Sequence, residues 1–263
     1  MSAEAEMRFV MMLGVVCAWS QNPFESGSWI DLSYAFDAST IYWPTAQPFE
    51  HETEFEGRTE KGYFYSAYRY SASEHGGTHL DAPIHFAEGK KTSDQLELSK
   101  LMGPVAVVDV SEKALKDPDY LVSVSDLTQY ESKFGQLPSG SVVFLRTGYG
   151  RFWPDRTKYL GTDLVGPEAV PHLHFPGLDP AAATWLVSQR KIVMIGLDTP
   201  SIDRGQSTLF EAHQVLAAHD IAVIENLAQL EKIPEKGAWA IAMPMKIAGG
   251  SGGPARVAAW IPD

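Results

Sequence analysis

The sequence predicts a mixed α/β fold that is rich in sheet and forms a single domain. Eight short segments are rich in Val, Ile and aromatic residues and are bounded by Gly, Pro or Ser, which is typical of strands. Fewer segments have the three- and four-residue apolar spacing of a helix. One strand candidate is followed by loop residues, a helical pattern and another strand candidate, which is the spacing of a crossover between parallel strands.

The strand candidates occur in order along the chain. They cover residues 29–36, 63–71, 104–110, 142–147, 192–197, 221–226, 238–243 and 256–261. Ser123 begins the first predicted helix, because Asp126 three residues later completes a capping box. The second covers 179–190, with Pro180 at the favoured first helical position, and the third covers 207–219. No repeat of fixed period and no low-complexity linker indicates a domain boundary.

An apolar run at residues 9–19 precedes the predicted domain and is shorter than the ~20 residues that a membrane span takes. Arg8 before it and a small-x-small pattern after it resemble a signal peptide, whereas Glu4 and Glu6 make the flank acidic. We therefore interpret residues 1–27 as an N-terminal segment that is either a signal peptide or an ordinary buried element. The first alternative predicts a periplasmic protein, and the second predicts a cytoplasmic one.

The charge balance and the cysteine count exclude several classes of partner and site. The chain has 33 acidic and 21 basic side chains, for a formal net charge of −12. Such an excess of carboxylates repels phosphate backbones, so we expect no nucleic acid partner, and we expect no membrane partner either. The single cysteine, Cys17, excludes an intrachain disulfide and a thiolate zinc cluster. Any metal must therefore be held by His, Asp and Glu.

A cluster of histidines is the strongest chemical signal in the sequence. The segment HGGTHLDAPIHF at 75–86 contains His75, His79, Asp81 and His85 within eleven residues. All four occupy odd positions, so in an extended stretch they point to the same side, with residues 79 and 81 about 6–7 Å apart at Cα. That separation lets two side chains converge on one ion. Imidazole and carboxylate ligands without thiolate suit Zn²⁺, Mn²⁺ or Fe²⁺.

A turn that follows a strand explains this cluster better than a helix does. Gly76, Gly77 and Pro83 disfavour a continuous helix. Glycine loses more backbone entropy than other residues when a helix forms, and proline lacks the N–H that a helix interior needs. The two glycines let the backbone turn so that His75 joins the other ligands. We expect the Thr78 hydroxyl to donate a hydrogen bond to a ligand carboxylate.

The motif resembles that of a known enzyme family. HGGTHLDAPIH follows the pattern H-x-G-T-H-x-D-x-P-x-H of the cyclase-like metal-dependent amidohydrolases, which include bacterial kynurenine formamidases and isatin hydrolases. The segment GLDTPSID at 196–203, the helix with His213 and the strand that ends at Glu225 are similar to the family's second region. MPMKIAGGSGGPARVAAWI at 243–261 is similar to its closing strands. The resemblance assigns residues 28–263 to one cyclase-like domain.

This resemblance implies a swivelling β/β/α fold and a set of site residues. It implies that His75, His79 and Asp81 bind the catalytic metal and that His85 transfers protons. Members with two metals add a histidine and a glutamate, which correspond here to His213 and Glu225, so both are candidate catalytic residues.

The chain is more similar to the isatin hydrolases than to the formamidases, which are shorter and lack much of the aromatic loop after Thr147. This similarity implies a single Mn²⁺ rather than a Zn²⁺ pair. It also implies hydrolysis of the cyclic amide of isatin to isatinate by a metal-activated water. The alternatives are an arylformamidase that acts on N-formylkynurenine and a non-catalytic metal-binding protein of the same fold. Family resemblance further implies a homodimer or a higher homo-oligomer.

Aromatic residues predict a binding site for a small aromatic amide. The run 147–180 is long for a compact domain and is dense in Gly, Pro and aromatic residues, which favours a substrate wall over a solvated insertion. We expect stacking on a planar substrate, with packing in the core or at a subunit interface as the alternative for each ring. The candidate substrate-binding residues are Trp43, Tyr63, Tyr65, Phe152, Trp153 and Phe175.

Other polar residues have both a site role and an ordinary role open to them. Asp198 and Asp203 follow strand candidates, where α/β proteins collect site residues, but either one can instead cap the next turn. His172 and His174 form an H-x-H pair that would bind a separate ion or line the pocket. His51 and His219 are expected at the surface.

Overall fold

A computed structural model of the chain describes residues 26–263, so the predicted signal peptide lies outside the described residues and stays a prediction. The strands are Gly27–Asp31 (β1), Glu50–Arg58 (β2), Phe64–Ser71 (β3), His79–Asp81 (β4), Met102–Asp109 (β5), Leu121–Val122 (β6), Val142–Arg146 (β7), Gly177–Leu178 (β8), Met194–Leu197 (β9), Ala222–Glu225 (β10), Lys236–Pro244 (β11) and Gly252–Pro262 (β12). The α-helices are Ser111–Ala114 (α1), Val124–Phe134 (α2), Arg156–Leu160 (α3), Pro180–Gln189 (α4) and Glu211–Ala218 (α5). Short 3₁₀ helices are Pro83–His85, Ser93–Gln95, Leu98–Lys100, Tyr149–Phe152, Pro167–His172 and Leu230–Lys232.

One mixed sheet organises the chain, in the strand order β1-β12-β11-β5-β7-β9-β10-β4. Strand β4 also pairs with β12, so the sheet closes on itself into a barrel-like core. Strands β5, β7, β9 and β10 are parallel to one another, and the other pairs are antiparallel. The crossover from β7 through α4 to β9 confirms the predicted parallel unit, and the mixed, sheet-rich α/β class is confirmed.

Both faces of the parallel strands are buried, which explains their nearly continuous apolar sequences. Val143 and Leu145 of β7 face the cluster that contains helix residues such as Leu186. Val142 and Phe144 alternate with them and face the cluster inside the curved sheet. The carboxyl ends of the parallel strands are thereby held between two packed layers.

Two predicted boundaries differ from the structure for local reasons, and one strand was not predicted. The strand predicted at 29–36 ends at Asp31, because the Asp31 carboxylate accepts the Ser33 N–H at 3.2 Å and turns the chain. The helix predicted at 207–219 begins only at Glu211, because Phe210 has a left-handed backbone with φ 51°. Strand β2 was not predicted, since its alternating glutamates give no apolar face.

The predicted capping box of α2 is confirmed. Ser123 accepts a hydrogen bond from the Asp126 N–H, and the Asp126 carboxylate accepts bonds from the Ser123 N–H and hydroxyl, each at 2.8 Å. The same buried carboxylate pairs with Lys113 and accepts a bond from the Tyr120 hydroxyl at 2.9 Å. No helix among residues 26–263 is both long enough and apolar enough to cross a membrane.

We predict that Asp126→Ala lowers the free energy of unfolding by about 1–2 kcal/mol at pH 7, because several donors lose their acceptor. Burial raises the pKa of Asp126, but its bonds to Lys113 and Ser123 outweigh burial and lower that pKa below the usual value. Its contribution is therefore present above pH about 4 and is lost as the pH falls through the lowered pKa.

Urea unfolding of wild type and variant at pH 7 and below pH 4 measures this difference. Glu112→Ala, which removes an exposed ion pair with Lys116, is the matched control and should leave stability nearly unchanged. An equal difference between Asp126→Ala and wild type at both pH values would contradict the assignment.

Candidate metal and catalytic site

A cavity of about 370 Å³ opens where the motif at 75–86 meets the carboxyl ends of the parallel strands. Its polar lining includes His75, His79, His85, His213 and Glu225. Its apolar lining includes the rings of Tyr42, Trp43, Phe86 and Phe210. The structure therefore brings two predicted metal ligands, His75 and His79, and the predicted catalytic residues into one cavity, and the third ligand, Asp81, lies against His75 and His213 of its lining.

Strand pairing places the central polar residues. His79 of β4 lies opposite Glu225 of β10, and Asp81 follows on the same side of β4. The His79 Nε2 atom lies 3.2 Å from Asp81 Oδ1 and 3.4 Å from Glu225 Oε2. Its other nitrogen, Nδ1, donates a hydrogen bond to the Gly77 carbonyl at 3.0 Å.

The geometry around His79 fits a divalent ion. His79 Nε2 is buried and has no hydrogen-bond partner among the described residues, although two carboxylate oxygens lie close to it. Ligands about 2.0–2.2 Å from an ion lie about 3–3.5 Å from one another. One donor atom each from His79, Asp81 and Glu225 lies within 4.8 Å of the others, and so does one each from His75, Asp81 and His85. Imidazole and carboxylate are suitable donors for such an ion.

His75 and His85 form the mouth of this cluster. His75 Nδ1 lies 2.6 Å from Asp81 Oδ1. The ring of His85 stacks on that of His75 with centroids 3.8 Å apart. Within residues 26–263 the nitrogens of His85 make no hydrogen bond to protein, and burial lowers the pKa of His85 to about 4. His85 is therefore a neutral imidazole with a free nitrogen at the cavity.

His213 completes the cluster from α5. Its Nε2 atom lies 3.2 Å from Asp81 Oδ2 and 3.2 Å from Glu225 Oε1. Its Nδ1 atom is 2.7 Å from Asp203 Oδ2, and the same carboxylate accepts the N–H groups of Ala212 and His213. Asp203 thus fills both roles that the sequence left open, because it caps α5 and also orients a site histidine.

The buried charges influence one another strongly. Burial alone would lower the pKa of His79, but Asp81 and Glu225 outweigh it and raise that pKa to about 9. Burial would raise the pKa of Asp81, but His75 and His79 hold it well below its usual value. Burial, together with the negative charge of Asp81, raises the pKa of Glu225. The field of these carboxylates favours a positive charge at the centre of the cluster, whether protons or a metal ion supply it.

The structure places most of the predicted substrate-binding rings outside the cavity lining. Trp43 lines the cavity, but Phe175 is fully buried behind it, with ring centroids 6.4 Å apart. Phe152 and Trp153 pack against a separate apolar cluster, and Trp153 stacks on Tyr34. The loop at 147–180 therefore folds into short helices with a core of its own and supports the wall rather than forming it.

Tyr63 and Tyr65 do not line the cavity either, because they lie exposed at and near the tip of the β2–β3 hairpin. Two rings that were not predicted, Phe86 and Phe210, line the cavity instead. Phe86 stacks on His213 with centroids 4.2 Å apart, and Phe210 lies 6.0 Å from Trp43. Phe86 directly follows His85 in the sequence, and this adjacency to the histidine motif could have indicated that its ring lies at the site.

Several polar predictions are also settled by their contacts. Asp198 lies outside the cavity lining and accepts the N–H groups of Thr147 and Gly148, so it anchors a turn. The exposed His174 pairs with Asp119 rather than with the cavity. The prediction for Thr78 was wrong, since its hydroxyl donates to the Asn226 carbonyl at 2.7 Å and not to a carboxylate.

Asn226 and Ser251 are site neighbours that the sequence did not single out. The Asn226 amide donates to the Gly77 carbonyl at 2.7 Å, so this carbonyl accepts from both Asn226 and His79. Ser251 lies 2.8 Å from His75 Nε2 although it is 176 residues away. Only the closure of the sheet brings these residues to the motif.

Comparisons with known proteins agree with this geometry. Residues 30–204 match the protein family described as "Putative cyclase". An isatin hydrolase of Roseibium aggregatum is 36% identical over 197 residues, which cover 72% of this chain and 72% of that protein. A kynurenine formamidase of Bacillus cereus is 29% identical over 233 residues, which cover 88% of this chain and 97% of that protein. A solved isatin hydrolase bound to the product analogue thioisatinate superimposes with a TM-score of 0.80 at 30% identity, covering 90% of this chain and 94% of that one.

We predict that Thr78→Val destabilises the fold by about 1–3 kcal/mol, because the Tyr34 N–H and the buried Asn226 carbonyl lose their partner. Thr78→Ser retains the hydroxyl, so its free energy of unfolding should fall much less. Urea unfolding measures both variants, with the exposed Thr184→Val as the control. A Thr78→Val protein as stable as wild type would contradict this role.

Proposed function

The chain belongs to the cyclase family, and from this membership we propose that it is a metal-dependent hydrolase that opens the cyclic amide of isatin to give isatinate. The observation that carries the proposal is the buried, unpartnered His79 Nε2 beside two carboxylates at the base of an aromatic cavity. Similarity to isatin hydrolases in sequence and in structure supports the choice of substrate.

We assign the metal to His75, His79 and Asp81, the ligands that the family resemblance implies. Asp81 belongs to both groups of close donor atoms, one with His75 and His85 and one with His79 and Glu225, and His213 Nε2 lies 3.2 Å from Glu225 Oε1. We propose Mn²⁺ as the ion, with Zn²⁺ as the alternative. When bound, a divalent ion would lower the pKa of a coordinated water and polarise a carbonyl oxygen. Three carboxylates surround this centre, namely Asp81, Asp203 and Glu225, and they supply the negative charge that stabilises a cation.

His85 is the residue that we assign to proton transfer. Its low pKa keeps it neutral at physiological pH, and its free nitrogen accepts a proton from the attacking water. The water oxygen becomes bonded to the amide carbon as the ring C–N bond breaks. His85 then returns the proton to the departing nitrogen, which leaves an aryl amine and a carboxylic acid, and the acid releases the second proton of the water to solvent to become the carboxylate.

His213 and Glu225 act beside this transfer. Asp203 holds the Nδ1 proton of His213, so His213 Nε2 faces the carboxylates. Glu225 accepts the Ile202 N–H at 2.8 Å, which fixes its carboxylate next to both His79 and His213. We propose that the two residues orient the water and the ion and hold the reacting carbonyl in place.

The cavity walls suit a planar aromatic amide. Trp43, Phe86 and Phe210 form an apolar side that faces the histidines. A flat ring can stack against such rings, at about 0.5–1.5 kcal/mol per pair beyond area burial. The polar edge of a lactam would then face the cluster of His79 and Asp81.

A kynurenine formamidase is the second candidate, because such a relative aligns over 97% of its own length. It would use the same site residues on an open-chain amide. A non-catalytic metal-binding protein is less consistent with the site, since a storage site needs no neutral imidazole with a free nitrogen at its mouth.

We propose a homodimer or a higher homo-oligomer and place its contact on the β2–β3 hairpin. The hairpin forms a two-stranded sheet apart from the main sheet, and an isolated two-stranded hairpin is only marginally stable in water. Six of its aromatic side chains are between 40% and 62% exposed, which is a large apolar surface for a monomer. They are Phe55, Tyr63, Phe64, Tyr65, Tyr68 and Tyr70.

We predict that isatin is hydrolysed and that N-formylkynurenine is hydrolysed at least tenfold less efficiently, because a closed planar ring fits the stacked walls. Parallel assays follow the loss of isatin absorbance and the appearance of kynurenine. The ratio of the two kcat/KM values measures the preference for one substrate over the other. Efficient turnover of N-formylkynurenine alone would favour the second candidate, and turnover of neither would favour the metal-binding protein.

We predict that His79→Ala and Asp81→Ala lose both the bound ion and about a thousandfold or more in rate. His85→Gln should retain the ion and lose about 10²–10⁴-fold in kcat, since only the proton carrier is removed. Metal content and turnover are measured on the same samples. His172→Gln, outside the cavity lining, is the control, and unchanged turnover in His85→Gln would contradict the proton-transfer role.

We predict that replacing Phe55 and Tyr65, whose rings are 5.8 Å apart on one hairpin face, by serine lowers the molar mass in solution. Light scattering after size-exclusion chromatography measures the mass of wild type and variant. Leu164→Ser, another exposed apolar residue away from the hairpin, is the matched control. A monomeric wild type would contradict the proposed interface.

A further inference from the structure

In the described part of the chain, two cavity histidines have one ring nitrogen held by a protein acceptor and the other directed at Asp81. His79 donates from Nδ1 to the Gly77 carbonyl, and His213 donates from Nδ1 to Asp203. In each case Nε2 lies 3.2 Å from an Asp81 oxygen. A hydrogen bond on one nitrogen fixes which nitrogen carries the proton and therefore which one can bind a metal.

His75 has the opposite orientation. Its Nδ1 atom lies 2.6 Å from Asp81 Oδ1, and its Nε2 atom lies 2.8 Å from the Ser251 hydroxyl. That hydroxyl is 2.7 Å from Glu74 Oε2, which also accepts the Ser251 N–H at 2.8 Å. A carboxylate can only accept, so the Ser251 hydroxyl donates to Glu74. Its oxygen therefore accepts a hydrogen bond from the Nε2–H of His75.

The backbone around Ser251 is shaped to receive these side chains. Gly252 pairs with Asp81 across β12 and β4, and a Cβ atom at 252 would lie only 2.6 Å from His75 Cε1. A Cβ atom at Gly250 would lie 2.9 Å from Glu74 Oε1. The glycines on both sides of Ser251 thus leave room for the imidazole and for the carboxylate that it reaches through the hydroxyl.

We propose that Ser251 and Glu74 are positioning residues that hold His75 by its Nε2–H, with Nδ1 directed at Asp81, so that Nδ1 is the nitrogen that would bind a divalent cation there. Neither residue lines the cavity, so neither touches the substrate. Their effect passes through the orientation and the tautomer of His75. This inference rests on the metal site of the proposed function and deepens it.

Calorimetric titration of Mn²⁺ into chelator-treated protein tests the proposal without substrate. Ser251→Ala changes no charge, so a weaker affinity in that variant cannot come from a changed electrostatic field. We expect Ser251→Ala to weaken Mn²⁺ binding about 10–100-fold, the usual effect of removing a partner that orients a ligand. The double variant with Glu74→Ala should lose little more than the larger of the two single losses, because the two residues act on His75 in series.

Ser93→Ala is the matched control, since Ser93 donates to the Met245 carbonyl at 2.9 Å in the same region of the fold and forms no hydrogen bond with a histidine among residues 26–263. It should keep the wild-type affinity even if its unfolding midpoint falls. ¹⁵N spectra of the histidines in Zn²⁺-loaded protein should show His75 protonated at Nε2 in wild type and in Ser251→Thr.

The outcomes separate the two levels of the proposal. Wild type that binds Mn²⁺ no more tightly than Ser251→Ala, or a His75 protonated at Nδ1 in the Zn²⁺-loaded protein, would overturn the positioning role and leave the metal site intact. Wild type that binds neither Mn²⁺ nor Zn²⁺ would overturn the metal site and the positioning role together. Tight binding in wild type that weakens in Ser251→Ala but not in Ser93→Ala supports both.

Discussion

The double pairing of strand β4 is the constraint on which the site depends. This three-residue strand pairs with β10 on one side and β12 on the other, which closes the sheet. Successive side chains of a strand point to opposite sides, so His79 and Asp81 face the cavity while Leu80 is fully buried in the core. A slip of one residue would turn Leu80 into the cavity and both ligands into the core. The burial of Leu80 thus helps to hold the ligands in register.

The closure also determines which distant residues reach the motif. Strand β10 brings Glu225 opposite His79, and β12 brings Gly252 opposite Asp81. The cluster buries three carboxylates, each no more than 4% exposed, which would be strongly unfavourable without nearby positive charge. His79 and His213, whose pKa values the carboxylates raise, supply that charge as protons, and a divalent ion would replace those protons as it binds. Stability and metal binding are therefore linked through the same few atoms.

Much of this arrangement could be predicted from the chain, and the reasons for the misses are physical. The histidine motif is local, so the spacing of His79 and Asp81 in an extended stretch already indicated a shared direction. The family resemblance added His213 and Glu225, which no local pattern connects to residues 75–85. Ser251 and Asn226 were missed because only sheet closure brings them near. The sequence could not place the aromatic residues of the 147–180 loop, because aromatic composition does not distinguish a ring that lines a cavity from one that packs behind it, as Phe175 does behind Trp43.

The metal content of protein purified without added chelator tests the central claim most directly. Elemental analysis of the wild-type chain should find one Mn²⁺ per chain, and its removal should abolish isatin hydrolysis until Mn²⁺ is restored. Two Zn²⁺ per chain would instead point to the formamidase reaction. A chain that holds no divalent ion and hydrolyses isatin equally well with and without chelator would contradict a site built on His75, His79 and Asp81.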